Sequence, residues 1–124
     1  MYSEKVLEHF RNPRHMGEIE KPDGRGRVGN PRCGDIMEIT IKIGERKGEK
    51  IIEDIKVKTF GCVAAISSSD VLCDIVKGMR LEDAKKITNK DVLERLGEVP
   101  VQKKHCSVLA ATALQNAIKE YESK

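Results

Sequence analysis

Four cysteines in a chain of 124 residues are the first residues able to carry chemistry, and each sits in a different local setting. Cys33 lies in "NPRCGDIM", a Pro- and Gly-containing loop that leads into an alternating strand pattern. Asp35, two residues on, falls on the same side as Cys33 once the strand has begun, so a thiol and a carboxylate can face a common point. Cys62 in "KTFGCVAAISSS" stands where a strand pattern gives way to a helical one. Cys106 in "KKHCSVLAATAL" stands at the expected start of the last helix, beside Lys103, Lys104 and His105. A helix N-terminus exposes unpaired N–H groups and partial positive charge, so cations there are unfavourable unless an anion joins them. The same N-terminus lowers the pKa of a thiol, and the thiolate is both nucleophile and metal ligand. His105 and Cys106 are about 100° apart on a helix, so the imidazole is badly placed as a base for that thiol, yet both can reach a centre lying over the helix end.

Cys73 reads differently. It is mid-helix, flanked by Val71, Leu72 and Ile75, and lies roughly 16 Å along the axis from Cys62, so it is expected in the core. His9 and His15 flank the N-terminal helix and carry no special signal. "GRGRVG" (24–29) matches G-x-G-x-x-G, but no apolar strand precedes it and no helix follows, so it is not a dinucleotide site, and its glycines read as flexibility around Cys33.

The elements that must position these residues follow from periodicity. Residues 4–11 form a short amphipathic helix, with Ser3 as cap and Asn12-Pro13 as stop. Residues 17–34 are rich in Gly and Pro and read as an extended segment with an edge strand near Arg25–Gly29. Met37, Ile39, Ile41 and Ile43 alternate with polar residues, and after "GERKGEK" Ile51, Ile55 and Val57 resume the inward face, which predicts an antiparallel hairpin. The second half is helical: one helix ends at Gly78, two short ones follow, with Thr88 or Asn89 capping the second, and a last one runs from about His105 to Tyr121. Strands followed by helices predict one α+β domain spanning 1–124, in two layers.

Composition removes several function classes. A net charge of +3 from interleaved Lys, Arg, Asp and Glu, no Trp, two Phe and two Tyr argue against nucleic-acid binding. The longest uncharged stretches fall short of the ~18 apolar residues of a membrane span, and "MYSEKVLEHF" lacks a signal core. A cytoplasmic location follows, where cysteines serve metals or sulfur chemistry better than disulfides. If Cys33, Cys62 and Cys106 converge with Asp35 and His105 nearby, three thiolates and one weaker ligand make a metal–sulfur site held less firmly than a four-thiolate one. Lys103 and Lys104 then form a cationic rim for an anionic cluster.

"YSEKVLEHFRNPRHMG", "VGNPRCGD", "KTFGC", "AISSSD" and "KKHCSVLA", in this order and at these spacings, make the chain resemble the IscU/NifU-type iron–sulfur cluster assembly scaffolds over nearly its whole length. The resemblance implies a three-stranded antiparallel sheet with helices packed on it. It implies cluster ligands Cys33, Cys62 and Cys106, with Asp35 or His105 completing the set. It further implies a pyridoxal-phosphate cysteine desulfurase of the IscS/NifS type, an iron and electron donor, a [2Fe–2S] product, and apo-proteins that receive it, on a monomer or a cluster-bridged oligomer. On that reading Cys106 accepts persulfide sulfur, with Lys103 beside it, and Asp35 is the labile ligand. The chain reads Val99-Pro100-Val101-Gln102-Lys103 where many members have Leu-Pro-Pro-Val-Lys, which counts against docking of an Hsp70-type chaperone. Val63 replaces the Gly usual after the second cysteine. Two rivals share the ligand set: a zinc-bound sulfur carrier of the SUF type, and a structural zinc module. His105 and the compact spacing disfavour the first.

Overall fold

The computed structural model describes residues 4–30, 35–60, 63–96 and 109–123. The elements are α1 (Glu4–Arg11), β1 (Gly24–Asn30), β2 (Asp35–Arg46), β3 (Glu49–Phe60), α2 (Val63–Val76), α3 (Leu81–Ala84), α4 (Asn89–Leu96) and α5 (Ala110–Glu122). The strands form one antiparallel sheet in the order β1-β2-β3, as expected for the α+β architecture. Ser3 lies outside the described residues.

Alternation fixes which face is buried. Met37, Ile39 and Ile41 of β2 and Ile55 and Val57 of β3 point inward, onto α2 and α5. The expected inward parity fails once. Between Lys42 and Ile43 the register shifts, so Ile43 pairs with Ile52 and Glu53 is left over. Beyond this bulge Ile52, fully buried, takes the inward face, because one extra residue flips the faces, while Ile51 is buried as well, beside the bridge it forms with Arg80. The hairpin is also tighter than "GERKGEK" suggests. Both strands run into it, and only Lys47 and Gly48 turn, with φ of 53° and 80°, the left-handed pair that matches strand twist.

β1 is short of bulk on its inward face, and this sets the position of α5. A Cβ on Gly26 would collide with the carbonyl oxygen of Ala113 and the amide of Ala117, and one on Gly24 with the carbonyl of Ala117. The α5 backbone therefore lies directly on β1, closer than any side chain permits. Its inward stripe is correspondingly small: Ala110, Ala113 and Ala117, beside Leu114 and Ile118. α2 covers β3 and meets α5 and α4, while α1 packs on α2.

The outer edge of β3 is occupied at two places. Met16 forms a parallel bridge to Val57, with Gly17 N–H donating to Val57 O (2.9 Å) and Val57 N–H to His15 O (2.8 Å). Farther along, Gly78 N–H donates to Ile52 O (2.7 Å) and Ile52 N–H to Met79 O (2.9 Å). From His15 the chain crosses the outer face of the sheet, where Thr40 Oγ1 accepts from Ile19 N–H (3.0 Å) and Glu18 bridges Arg25 (2.6 Å) and Lys58 (3.0 Å). The Lys58 ammonium holds the Glu18 carboxyl below its usual range.

Candidate functional site

Cys33, Cys62, Lys103, Lys104, His105 and Cys106 lie outside the described residues, while Asp35 is the first residue of β2. What the structure does give is the frame to which their segments attach. Asn30, the last residue of β1, pairs with Asp35, and Ile36 pairs with Phe60, the last residue of β3. Segments 31–34 and 61–62 are therefore both joined to the same end of the sheet. α2 begins at Val63 immediately after Cys62, with no acidic residue in its first turn.

α5 reaches that end as well. Along β1, Gly24 faces Ala117 and Gly26 faces Ala113, so α5 runs antiparallel to β1 and begins on the side where β1 ends. Segment 97–108 leads into that start.

The expected start of the last helix near His105 is corrected. Leu109 is the N-cap, with φ −113° and ψ 2°, and the first helical residue is Ala110. The first intrahelical bond runs from Ala113 N–H to Leu109 O (3.1 Å). The described helix thus begins four residues after Cys106, and the expected setting of Cys106, Lys103 and Lys104 at a helix start lies outside the described residues. The physical reason for the start at Ala110 is a cap supplied from another element. Asn89 Oδ1 accepts from Ala111 N–H (3.0 Å), and Asn89 Nδ2 donates to Thr112 Oγ1 (3.2 Å). Asn89 is thus spent on α5, and Thr88 caps α4: its Oγ1 accepts from Asp91 N–H (3.3 Å), and Asp91 Oδ2 accepts from Thr88 N–H (2.9 Å). Gln115 fastens the other side of α5, donating to Ala84 O (3.1 Å) and Ile87 O (3.2 Å).

Cys73 is in the core, as expected. Burial, with the Asp70 and Asp74 charges adding to it, pushes its thiol far above the usual range, so it is chemically inert in the folded chain.

The two histidines without a role in the sequence do have one in the structure. His9 Nδ1 meets Asp70 Oδ2 at 2.6 Å, and His15 Nε2 meets Asp74 Oδ1 at 2.6 Å. Asp70 is fully buried, and its other oxygen accepts from the backbone N–H groups of Arg14 (2.8 Å) and His15 (3.0 Å). The available signal was the Asp70/Asp74 pair at i, i+4, one charged stripe on a helix whose remaining surface is apolar or hydroxylic.

Comparison with known proteins points in one direction. The family described as NifU-like N terminal domain matches residues 1–124. Over 124 residues the chain is 53% identical to "Iron-sulfur cluster assembly scaffold protein IscU 1" of Archaeoglobus fulgidus, covering 100% of this chain and 78% of that protein. It is 47% identical over 126 residues to "Iron-sulfur cluster assembly scaffold protein IscU" of Escherichia coli K12, covering 99% of this chain and 95% of that one. Among solved structures, the N-terminal part of a NifU-like protein from Brucella abortus superposes with a TM-score of 0.66 at 20% identity, over 98% of this chain and 94% of that chain. A putative iron–sulfur cluster assembly scaffold protein for the SUF system from Fervidobacterium islandicum AW-1 superposes with a TM-score of 0.69 at 20% identity, over 94% and 96%. At that identity both establish the fold alone.

Proposed function

The chain belongs to the family described as NifU-like N terminal domain, and from that premise we propose that it is a scaffold on which a [2Fe–2S] cluster is built and then handed to apo-proteins. The observation that supports this most is the shared end of the frame: three cysteine-bearing segments attach where β1 and β3 end and where β2, α2 and α5 begin. The cluster is cargo. Cys33, Cys62 and Cys106 hold it as thiolates, and Asp35 or His105 provides the fourth, harder contact that releases more readily than sulfur.

Sulfur arrives by thiol exchange. The Cys106 thiolate attacks the outer sulfur of a persulfide on a cysteine desulfurase; the desulfurase sulfur–sulfur bond breaks, its thiolate leaves, and a persulfide remains on Cys106. Two electrons from an external donor then release that sulfur as sulfide and return the Cys106 thiolate, while ferrous iron enters between the thiolates. Lys103 offsets negative charge beside the acceptor. The protein is an acceptor and platform, not a turnover enzyme, and zinc occupies the same donor set when iron is absent. Its setting is cytoplasmic; among the described residues no helix is long and apolar enough to cross a membrane.

The test is anaerobic incubation with ferrous iron, cysteine and a desulfurase. The expected result is the visible absorption of a bridged di-iron cluster, followed by its transfer to an apo-ferredoxin. Sulfur loading of Cys106 without that chromophore would identify a sulfur carrier, and zinc retention with neither would identify a structural module.

A further inference from the structure

We propose that His9, Asp70 and Asp74 form a second metal site, for a divalent ion of the Zn²⁺, Fe²⁺ or Mn²⁺ class, separate from the cysteine end of the molecule. His9 Nδ1, Asp70 Oδ2 and Asp74 Oδ2 converge from α1 and α2. The separations are 2.6 Å from His9 to Asp70 and 3.9 Å from His9 to Asp74, and all three donor atoms lie within 4.8 Å of one another. Ligand atoms about 2.1 Å from one ion stand roughly 3 to 3.5 Å apart, so a shift of about half an ångström in each ring or carboxylate converts these contacts into a coordination triangle. One imidazole and two carboxylates are a nitrogen–oxygen donor set suited to borderline divalent ions, with the remaining positions left to water.

The surroundings are built as those of a ligand set are. Each carboxylate presents one oxygen to the triangle and has its other oxygen fixed: Asp70 Oδ1 by two backbone N–H groups, Asp74 Oδ1 by His15 Nε2 at 2.6 Å. Such outer contacts orient metal ligands. Burial helps as well: Asp70 is fully buried, so the oxygen it offers is held away from competing water.

The site is independent of the proposed cluster ligands. Asp70 lies seven residues into α2 beyond Val63, about 10 Å along the axis, and Asp74 one further turn away. An ion here ties α1 to α2 and the residues 12–15 that link α1 to the sheet.

The experiment uses the full chain carrying Cys33→Ser, Cys62→Ser and Cys106→Ser, so that no thiolate competes, titrated anaerobically with Co²⁺ and with Mn²⁺. The expected result is one Co²⁺ per chain with visible bands of nitrogen and oxygen ligation and no sulfur charge-transfer band. Asp74→Ala and His9→Ala, each checked for native circular dichroism, should weaken binding at least tenfold. Mn²⁺ added to the folded triple variant should broaden amide resonances around His9, Asp70 and Asp74 first, a readout that needs neither Asp74→Ala nor His9→Ala to fold. Absence of stoichiometric binding, unchanged affinity in both folded variants, or broadening centred elsewhere overturns the site and leaves a pair of His–Asp hydrogen bonds. Neither result bears on cluster assembly, which the triple variant cannot perform in any case.

Discussion

Gly26→Ala is the sharpest test of how α5 is seated. The added methyl carbon meets only backbone: the Ala113 carbonyl oxygen, the Ala117 amide nitrogen and, at 3.0 Å, the Asn116 carbonyl carbon. None of these can swing aside as a side chain does. Ordinary contact is about 3.5 to 4.0 Å, so α5 must withdraw from β1 by about 1.5 Å. Forced overpacking costs ~1–3 kcal/mol, and this case belongs at the upper end because the helix carries Leu114 and Ile118 away from the core with it. A loss of about 3 kcal/mol corresponds to a fall of roughly 10 °C in Tm for a chain of this size. The comparison is Gly44→Ala, where the nearest atoms are the Cβ, Cδ and Cγ of Glu53 at 3.1, 3.2 and 3.4 Å, a flexible exposed chain. It should cost less than ~1 kcal/mol, partly offset by the reduced freedom of the unfolded chain. Urea denaturation of both variants decides the matter. If Gly26→Ala loses no more than Gly44→Ala, the backbone-to-backbone seating of α5 is wrong, and with it the argument that α5 starts at the cysteine end of the sheet.

Four further outcomes are expected. Asp35→Ala leaves three thiolates but removes the contact that lets go, so the reconstituted cluster should persist longer; an unchanged or shorter lifetime in chemical reconstitution counts against the role. Asn89→Ala removes the cap that α4 lends to α5 and should lower stability by about 1 kcal/mol in thermal denaturation, and a neutral result would show that water serves Ala111 as well. Cys73 should resist iodoacetamide, read by mass spectrometry, until denaturant unfolds the chain, since burial keeps it a thiol. Glu18 has a carboxyl pKa held below its ordinary 4.5 in the folded chain, so its stabilising contribution is present above that value and is lost as pH falls through the lower folded one. Glu18→Gln should therefore be less stable than the parent at pH 7, with the gap closing as pH falls below 4.5 in denaturation curves taken across that range.

Strand alternation and helix punctuation made the architecture legible, since a half-buried sheet and amphipathic helices write their faces into residue order. Ile39, Ile41, Ile55, Val57 and Cys73 were identifiable for that reason. The details that escaped depend on partners distant in sequence. The bulge at Glu53 exists because Ile52 and Ile43 must both face α-helical cover, a requirement invisible within either strand alone. Asn89 looks like a cap for its own helix and serves another, 22 residues on. His9 and His15 looked idle because their acids, Asp70 and Asp74, are 61 and 59 residues away. The thiols were the clearest feature of the sequence, through the Cys33/Asp35 spacing and the strand-to-helix position of Cys62, and their segments attach to one end of the frame.

The loan of Asn89 to α5 also bears on how this chain tolerates change. α4 and α5 are clasped by Asn89 and by the buried Val92, Leu96, Ala110 and Ala111, all of which flank residues 97–108 and do not belong to them. The helix pair is thus held from both sides of the dozen positions that include Lys103, His105 and Cys106, so substitutions at Asn89 or Leu96 act on the frame from which that segment is hung.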